Sequence, residues 1–550
     1  MTATNSPDQL DLRRPDDIRE PPSGVLAILR QIGPGLIIAA NIVGSGELIM
    51  TTKSGARAGI ALLWLIVLGC VIKVFVQLEL GRFTISHGET SLTSLNRVPG
   101  PRVGRLNWVV ILWAIMVLLA VGQLGGIVGG VSQALAVTFP IYGDYQDMVR
   151  IPTAENLVKL VGSETGDGAG ENQTPEQIER QRRHLEWVRK DLQVVPNRDE
   201  LMAQARLVAL ADLDSAERKD HLTKLTEMTD PPTRDDTIWA VIVGVFTAVV
   251  LYRGRYRLLE RISVVLVVIF TLITVGNVIL LQGTQYAVSS SQFMKGLMFG
   301  IPEGTLTVAL ATFGIIGVGA TELVAYPYWC LEKGYAKSVG PRDDSEAWLA
   351  RAVGWFRVMK CDAFASMIIY TVSTVAFFLM GVAVLHSEGR DPEDHRLVTT
   401  LAESYRPVFG NYAKLLFLGG AIAVLYSTYL VSNAGNARLI ADFTGIAGMS
   451  DQRLESKQRR LLIGILSFLL PLICVAVYLF VKAPVLLITI SGICQHAMLP
   501  VLGISALYFR YQETDVRLRP GRWWDAALII SCVGLLIAAS WGLYKVVTNL

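Results

Sequence analysis

Eleven apolar runs constrain this chain more than any other feature of its sequence. Most are close to the ~20 residues that an α-helix needs to cross a hydrocarbon core of about 30 Å. A hydrophobic share of 52% and a charged share of 18% over 550 residues also exclude a set of ordinary soluble domains. We therefore predict an all-α polytopic membrane protein with spans at 33–54, 59–81, 107–136, 237–252, 256–282, 304–331, 359–385, 411–433, 459–481, 484–508 and 524–547.

The loops carry a charge pattern that predicts orientation. Basic residues such as Arg82, Lys333 and Arg510 concentrate after spans two, four, six and ten and before span nine, which all lie on one side. By the positive-inside rule this side is cytoplasmic, so the N-terminus is expected in the cytoplasm of a plasma or inner membrane protein. The tail 1–30 has no apolar core, so it is expected to be a polar cytosolic tail and not a cleaved signal peptide. These loops account for the net charge of +3, so no nucleic-acid partner is expected.

A polar insertion separates spans three and four. It divides the chain into a cytosolic tail (1–30), spans one to three (31–137), the insertion (138–236) and spans four to eleven (237–550). Thr174, Pro175 and Gln177 form a helix-start signature, and further helices are expected near 198–211 and 215–228. The insertion is predicted to be extracytoplasmic. It either binds a partner or is a tolerated loop expansion, and the lack of a chemical motif favours the second interpretation.

A short motif occurs twice inside the apolar runs. "VGSGELI" at 43–49 lies in span one, and "VGATELV" at 318–324 lies in span six. Because five spans separate the copies, the two units enter the membrane in opposite directions. This pattern is typical of an inverted repeat, here spans one to five against six to ten, with the eleventh appended.

The glycines of both copies favour unwinding near the middle of each span. Freed backbone groups are tolerated in lipid only where protein, water or substrate satisfies them, so broken helices one and six indicate a site. Glu47 and Glu322 would add formal negative charge, which suits a cation. The alternative is a capping role, with Ser45 as the cap and Glu47 in the first turn; the two roles are compatible.

Other polar residues in the spans are secondary candidates. Lys73 and Glu79 in span two are explained as well by snorkelling, and Asp362 by an interfacial position. Four further residues are candidates for lining a transport pathway, and interhelical hydrogen bonding is the competing explanation for each of them. They are Asn41, Gln123, Gln495 and His496.

Several stretches resemble a known family. "GPGLIIAANIVGSGE" at 33–47, "LLW" at 62–64, Gln77 and "ISHG" at 85–88 resemble the opening of the natural resistance-associated macrophage protein (Nramp) family of divalent-metal transporters. "ALATFGIIG" at 309–317, the stretch after Asp362 and Leu499-Pro500 are similar to its helices six, seven and ten. The resemblance implies a LeuT-like fold with two inverted five-helix repeats and an eleventh helix.

The metal-binding motifs of that family are altered here. The Asp-Pro-Gly-Asn motif of its first helix falls on 44–47, and the Ala-x-x-Met-Pro-His motif of its sixth helix falls on 318–323. Thr321 therefore takes the place of the ligand methionine, so the site is expected to be rich in hard oxygen. Acidic residues of the third helix fall on Gln123 and Gly126, and a glutamine of the tenth falls on Gly492. The substrate-site residues implied are Gly44, Ser45, Glu47, Val318, Thr321 and Glu322.

The leading hypothesis is a secondary transporter of divalent cations of the Mg, Ca, Mn or Fe class, working by alternating access. The metal is substrate, and no cofactor or enzymatic activity is expected. The alternatives are a broken-helix carrier for an amino acid or other organic amine, and a non-transporting sensor in which the insertion binds an extracytoplasmic partner. No Gly-x-x-x-x-Gly-Lys-Ser/Thr motif is present, so ATP-driven transport by this chain is not expected.

Overall fold

The computed structural model describes residues 18–165, 175–211, 215–254, 257–343, 345–450 and 457–548. Most of the predicted cytosolic tail, residues 1–17, lies outside these ranges. Within them the chain is helical, and the two strands present, Arg102–Val103 and Leu106–Asn107, form one antiparallel pair between spans two and three. The architecture is therefore a bundle of helices with one polar insertion.

Eleven helical spans follow one another in the described residues. Nine helical stretches are long and apolar enough to cross a membrane; one of them, Pro34–His87, holds both span one and span two, and the shorter apolar helix Val265–Leu281 belongs to span five. Span one comprises Pro34–Ile42, Val43–Thr51 and Thr52–Ala58, span six comprises Leu306–Ile315 and Ala320–Lys333, and span seven comprises Glu346–Met380 and Gly381–His386. Spans two to five are Leu63–His87, Trp108–Thr138, Asp235–Tyr252 and Arg257–Leu281, in this order. Spans eight to eleven are Ala413–Ile446, Lys457–Val481, Pro484–Tyr508 and Arg522–Thr548.

Short helices fill the connections. They are Val25–Leu29, Gly59–Leu62, Ser91–Leu95, Ser290–Gly296, Tyr335–Val339, Leu397–Glu403, Arg406–Phe409, Gly410–Tyr412, Phe509–Glu513 and Val516–Leu518.

Contacts between loops agree with the alternation of the spans. Arg97 after span two lies 3.9 Å from the Glu513 carboxylate after span ten. Arg342 after span six lies 2.9 Å from the Asp515 carboxylate. Three of the five basic loops therefore meet on one side of the bundle, which we call the basic side.

The insertion is a helical module with its own core. Its helices are Asp144–Met148, Ala154–Thr165, Pro175–Leu192, Arg198–Leu210 and Ala216–Thr229. The last three lie within two residues of the positions that the sequence predicts, although the cap residue Thr174 lies outside the described chain. Leu157, Val188 and Leu201 are among the side chains buried between these helices. The two ends of the module are joined, because Asp235 accepts N–H groups from residues 141–143.

The buried carboxylate of Asp362 fixes the start of span one against span seven. It accepts the N–H of Gly33 at 2.8 Å and the N–H of Gly35 at 2.6 Å. The Tyr326 hydroxyl donates a third bond at 3.2 Å. The first N–H groups of a helix lack intrahelical partners and favour negative charge, so Asp362 caps span one from another helix. Only 1% of the residue is exposed, so Asp362 is a buried cap, and its place at the N-terminal end of span one is compatible with the interfacial position that the sequence allows.

We expect Asp362→Asn to destabilise the protein by about 2 kcal/mol, because hydrogen bonds to a charged acceptor are worth more than neutral ones. The side-chain amide of the variant would also place an NH₂ group against the N–H donors of Gly33 and Gly35. The measurement is the unfolding temperature of purified protein in detergent, with Asp147→Asn, an exposed carboxylate of the insertion, as the matched control. Equal unfolding temperatures for the two variants would contradict this assignment.

Candidate substrate site

Span six is broken at the position that the repeated motif predicts. Its first half ends at Ile315 and its second half begins at Ala320. Ile316 has extended dihedral angles, and Gly317 has a φ of 57°. A side chain at Gly317 would also lie 2.9 Å from the Cα of Cys70. Only glycine fits this conformation without strain, so the sequence itself encodes the break.

Lys73 of span two satisfies the carbonyls that the break exposes. Its Nζ donates to the carbonyl oxygen of Ile316 at 2.8 Å and forms a short hydrogen bond with that of Phe313. The Phe313 ring also lies 4.9 Å from the ammonium group. A fully buried lysine therefore occupies the negative end of the first half-helix. The snorkelling explanation of Lys73 is wrong.

Span one departs from the α-helix at the predicted place but in another form. Val43–Thr51 is a π-helix, continuous with the α-helices on both sides. The prediction that this span unwinds is therefore corrected. Gly44 explains part of this geometry, because a Cβ atom there would lie 1.9 Å from the Thr428 hydroxyl of span eight. The same hydroxyl donates to the carbonyl of Asn41 at 2.8 Å.

Glu47 faces the break of span six from span one. Its Oε1 accepts a hydrogen bond from the Thr374 hydroxyl at 2.8 Å and one from the Gly317 N–H at 3.3 Å. Its Oε2 is buried and has no partner among the described residues. Glu47 thus binds an amide of the break, while Lys73 binds two of its carbonyls.

Glu322 belongs to a different polar network. Its Oε1 accepts from the Asn41 amide at 3.0 Å, and its Oε2 accepts from the Thr321 hydroxyl at 2.8 Å. The Thr321 hydroxyl also lies 3.0 Å from the amide oxygen of Gln495. The network continues from Gln495 to Gln123 at 2.8 Å and from Asn41 to the Ser432 hydroxyl at 2.7 Å. Spans one, three, six, eight and ten therefore all contribute a polar side chain.

This network lines a small cavity of about 40 Å³. Glu322 is the only carboxylate in its lining, and no histidine, cysteine or methionine lines it among the described residues. Glu47 does not line it, so the two carboxylates do not share one cavity as predicted. The polar lining residues are Asn41, Gln123, Thr321, Glu322, Thr428, Ser432 and Asn436.

The remaining predicted residues do not line this cavity. Val318 is buried inside the break, and the Ser45 side chain lies outside the described part of the chain. His496 packs edge-on against Phe313 and does not line the cavity. Gln495 brings an amide to the network. Gly492, onto which a glutamine of the family falls, instead allows close packing, because a Cβ atom at residue 492 would lie 2.5 Å from the carbonyl oxygen of Ala311.

The sequence analysis missed three hydroxyl residues of the site. Ser432 binds Asn41, Thr374 binds Glu47, and Thr428 lines the cavity. All three occur in long helices, so only their polarity within an apolar run distinguishes them. That signal is weak, because hydroxyl side chains in such helices commonly bond their own backbone.

Comparison with known proteins identifies the family. Residues 232–545, more than half of the chain, match the family model described as natural resistance-associated macrophage protein-like. The chain belongs to the Nramp family. No curated protein matches the chain.

Solved structures similar to this member of the Nramp family are distant in sequence. A mutant of the manganese transporter of Eremococcus coleocola has 14% identity and a TM-score of 0.50, with 96% of this chain and 88% of that chain covered. Mhp1, a nucleobase-cation-symport-1 family transporter, has 13% identity, a TM-score of 0.44 and coverages of 98% and 96%. MhsT in complex with L-phenylalanine has 14% identity, a TM-score of 0.42 and coverages of 95% and 100%. The chain is a multi-pass membrane protein with the LeuT-like fold, as predicted.

We expect loss of the Lys73 ammonium to destabilise the break. Lys73→Met leaves the carbonyls of Phe313 and Ile316 without a donor, at a cost of about 1–3 kcal/mol per buried group. Lys73→Gln retains N–H donors, so the unfolding temperatures should follow the order wild type, Lys73→Gln, Lys73→Met. Lys414→Met, at an exposed lysine near the start of span eight, is the control. A Lys73→Met protein as stable as this control would contradict the role of Lys73.

Proposed function

We propose that this Nramp protein is a secondary transporter of divalent metal cations, which bind at Glu322 and reach each side of the membrane by alternating access. The observation that carries the proposal is the convergence of oxygen-bearing side chains from five spans on one carboxylate beside a broken helix. The manganese transporter to which the fold is similar agrees with this substrate class.

The donor atoms favour a hard cation. Glu322 brings a carboxylate to the cavity, Thr321 a hydroxyl, and Asn41 and Gln123 side-chain amide oxygens. Mg²⁺ and Ca²⁺ prefer such ligands, whereas sulfur ligands favour softer transition metals. Mg²⁺, Ca²⁺ and Mn²⁺ are therefore the proposed substrates, with Fe²⁺ disfavoured by the absence of sulfur and imidazole from the described lining.

The size of the cavity favours a partly hydrated ion. About 10–15 Å³ of cavity volume of this kind holds one water molecule, so about 40 Å³ accommodates an ion with one or two waters. Mg²⁺ commonly binds proteins through one or two carboxylates and retains several waters. A single carboxylate with neutral oxygen donors fits this mode. The same volume is too small for an amino acid, so we do not favour the organic-amine alternative.

The structure supports a conformation closed on the side of the insertion. Lys53 and Arg57, in the last turns of span one, both bind the Asp391 carboxylate in the loop after span seven, at 3.0 and 2.6 Å. The cavity residues Asn41, Trp329 and Asn436 lie in the halves of their spans nearer the basic side. We propose that the basic side is cytoplasmic, that the insertion is extracytoplasmic, and that the ion leaves toward the cytoplasm from this conformation.

We expect the two glutamates to have separable roles. Glu322→Gln should raise the Kd for Mg²⁺ and Mn²⁺ about tenfold or more, because it removes the charged donor of the cavity. Glu47→Gln should leave the Kd close to the wild-type value and lower the maximal uptake rate, because Glu47 binds the break. Binding is measured by calorimetry on purified protein and uptake by a fluorescent indicator in proteoliposomes.

Glu346→Gln, at the exposed first residue of span seven, is the matched surface control for both measurements. If Glu47→Gln weakens binding as much as Glu322→Gln does, the ion contacts both carboxylates and the single-carboxylate site is incorrect. If the wild type takes up none of the three ions but transports an amino acid, the organic-amine alternative replaces this proposal.

The hard-oxygen character of the site can be tested at Thr321. Thr321→Met places a sulfur beside Glu322 and should shift the ratio of Mn²⁺ to Mg²⁺ affinity toward Mn²⁺ by about tenfold, equivalent to about 1.4 kcal/mol. Thr321→Val, which removes the hydroxyl without adding sulfur, is the control. The ratio is obtained from competition binding. An identical ratio in the two variants would show that this position does not contact the ion.

A further inference from the structure

A second, larger cavity lies where the insertion meets the transmembrane bundle. It has a volume of about 620 Å³, within the range of about 300–1,000 Å³ typical of small-molecule sites. One wall comes from the insertion helices Ala154–Thr165 and Pro175–Leu192, and the other from Arg57 of span one and the loop after span seven. It is separate from the cavity at Glu322, with which it shares no lining residue.

Positive charge predominates in the lining of this cavity. Five arginine and lysine side chains line it, against three carboxylates. Burial also raises the pKa of the Glu393 carboxyl. Four of the five cations bind a carboxylate: Arg57 to Asp391 at 2.6 Å, Lys159 to Glu155 at 2.5 Å, Arg390 to Glu388 at 2.8 Å and Arg396 to Asp230 at 2.6 Å.

Arg180 is the fifth cation and lacks such a partner. Among the described residues its guanidinium hydrogen-bonds only to the carbonyl of Ala56, at 3.3 Å, and its Nε is buried without a partner. A guanidinium group is always charged and presents donors in the geometry that carboxylates and phosphates match. An anion in the cavity would therefore complete the bonding of Arg180.

His184 lies one helical turn beyond Arg180 and has an incomplete bonding pattern of its own. Its Nε2 lies 3.0 Å from the amide oxygen of Asn156, and its Nδ1 is buried without a partner in the described chain. Burial, together with the charges of Lys159, Arg390 and Arg180, lowers the pKa of His184 to about 4. The charges of these three cations outweigh that of the Glu155 carboxylate at His184, so their combined field favours negative charge at this point of the cavity.

Trp187 gives the cavity an apolar surface beside these cations. Its ring lies 4.4 Å from the Arg390 guanidinium, which is thereby held against the wall. A volume of this size far exceeds that of a simple inorganic anion and leaves room for a carbon skeleton. We propose that the cavity is a binding site for a small organic anion that bears carboxylate or phosphate groups, with Arg180 as its principal charged contact.

Citrate and inorganic phosphate are the probes for the two anionic groups. Full-length protein is reconstituted in nanodiscs without divalent ions, and each anion is titrated by calorimetry. We expect saturable binding of at least one anion, with affinity about tenfold lower in Arg180→Gln, because a charge-assisted contact is lost. Binding of citrate alone identifies a carboxylate ligand, and binding of phosphate indicates a phosphorylated one.

Arg183→Gln is the matched control, since Arg183 lies on the same helix, is exposed and does not line the cavity. Lys159→Gln is a second test variant at an exposed lining position, where misfolding is not expected, and it too should weaken binding. The proposal is overturned if neither anion binds saturably, or if Arg180→Gln and Lys159→Gln bind as tightly as Arg183→Gln. Neither result depends on metal transport, so this proposal fails independently of the proposed function.

Discussion

The break in span six imposes the requirement on which the rest of the site depends. Interrupting a helix at bilayer depth exposes carbonyl and N–H groups that lipid cannot satisfy. The chain meets this requirement with side chains from two other spans. Lys73 binds the carbonyls of residues 313 and 316, and Glu47 binds the N–H of residue 317. Opposite charges at the two sides of the break therefore match the opposite polarity of its backbone groups.

This arrangement gives the two copies of the repeated motif different chemistry. Glu47 and Glu322 occupy equivalent positions in the inverted repeats, yet one is fully buried against the break and the other lines a polar cavity. The difference follows from the backbone, because span one stays helical as a π-helix whereas span six opens. Lys73 already binds the exposed carbonyls of residues 313 and 316. The proposed ligands of the ion are therefore side chains beyond the break.

The sequence predicted the fold more fully than the site. Span positions follow from the lengths of the apolar runs, and the break in span six follows from Gly317, because a single positive φ requires glycine. The neighbours of that break could not be predicted, since they depend on how distant helices pack. Lys73 lies 240 residues from Phe313, and Asp362 lies 329 residues from Gly33. A lysine within an apolar run has the same local sequence whether its ammonium group reaches the membrane surface or a buried carbonyl.

The π-helix of span one shows a second limit. Gly44 and Gly46 weaken an α-helix, and this is equally compatible with an unwound segment, with a wider π-helix or with close packing of a neighbouring helix. Thr428 decides between these outcomes, because its hydroxyl lies where a side chain at residue 44 would be and binds the carbonyl of Asn41. That carbonyl is thereby satisfied without any break in the chain. The glycine pattern thus marks where a helix departs from regular geometry, and the packing partner determines how.

The insertion also contacts the side of the bundle that we propose to be closed. Arg180 binds the carbonyl of Ala56, one residue before Arg57, whose guanidinium binds Asp391. The insertion therefore adds a third contact where the end of span one meets the loop after span seven. Because these three contacts involve a few neighbouring residues, opening this side would have to break all of them at the same time. In the proposed alternating-access cycle, a module joined to these contacts would move with them, whereas a loop expansion that projects into solvent would not.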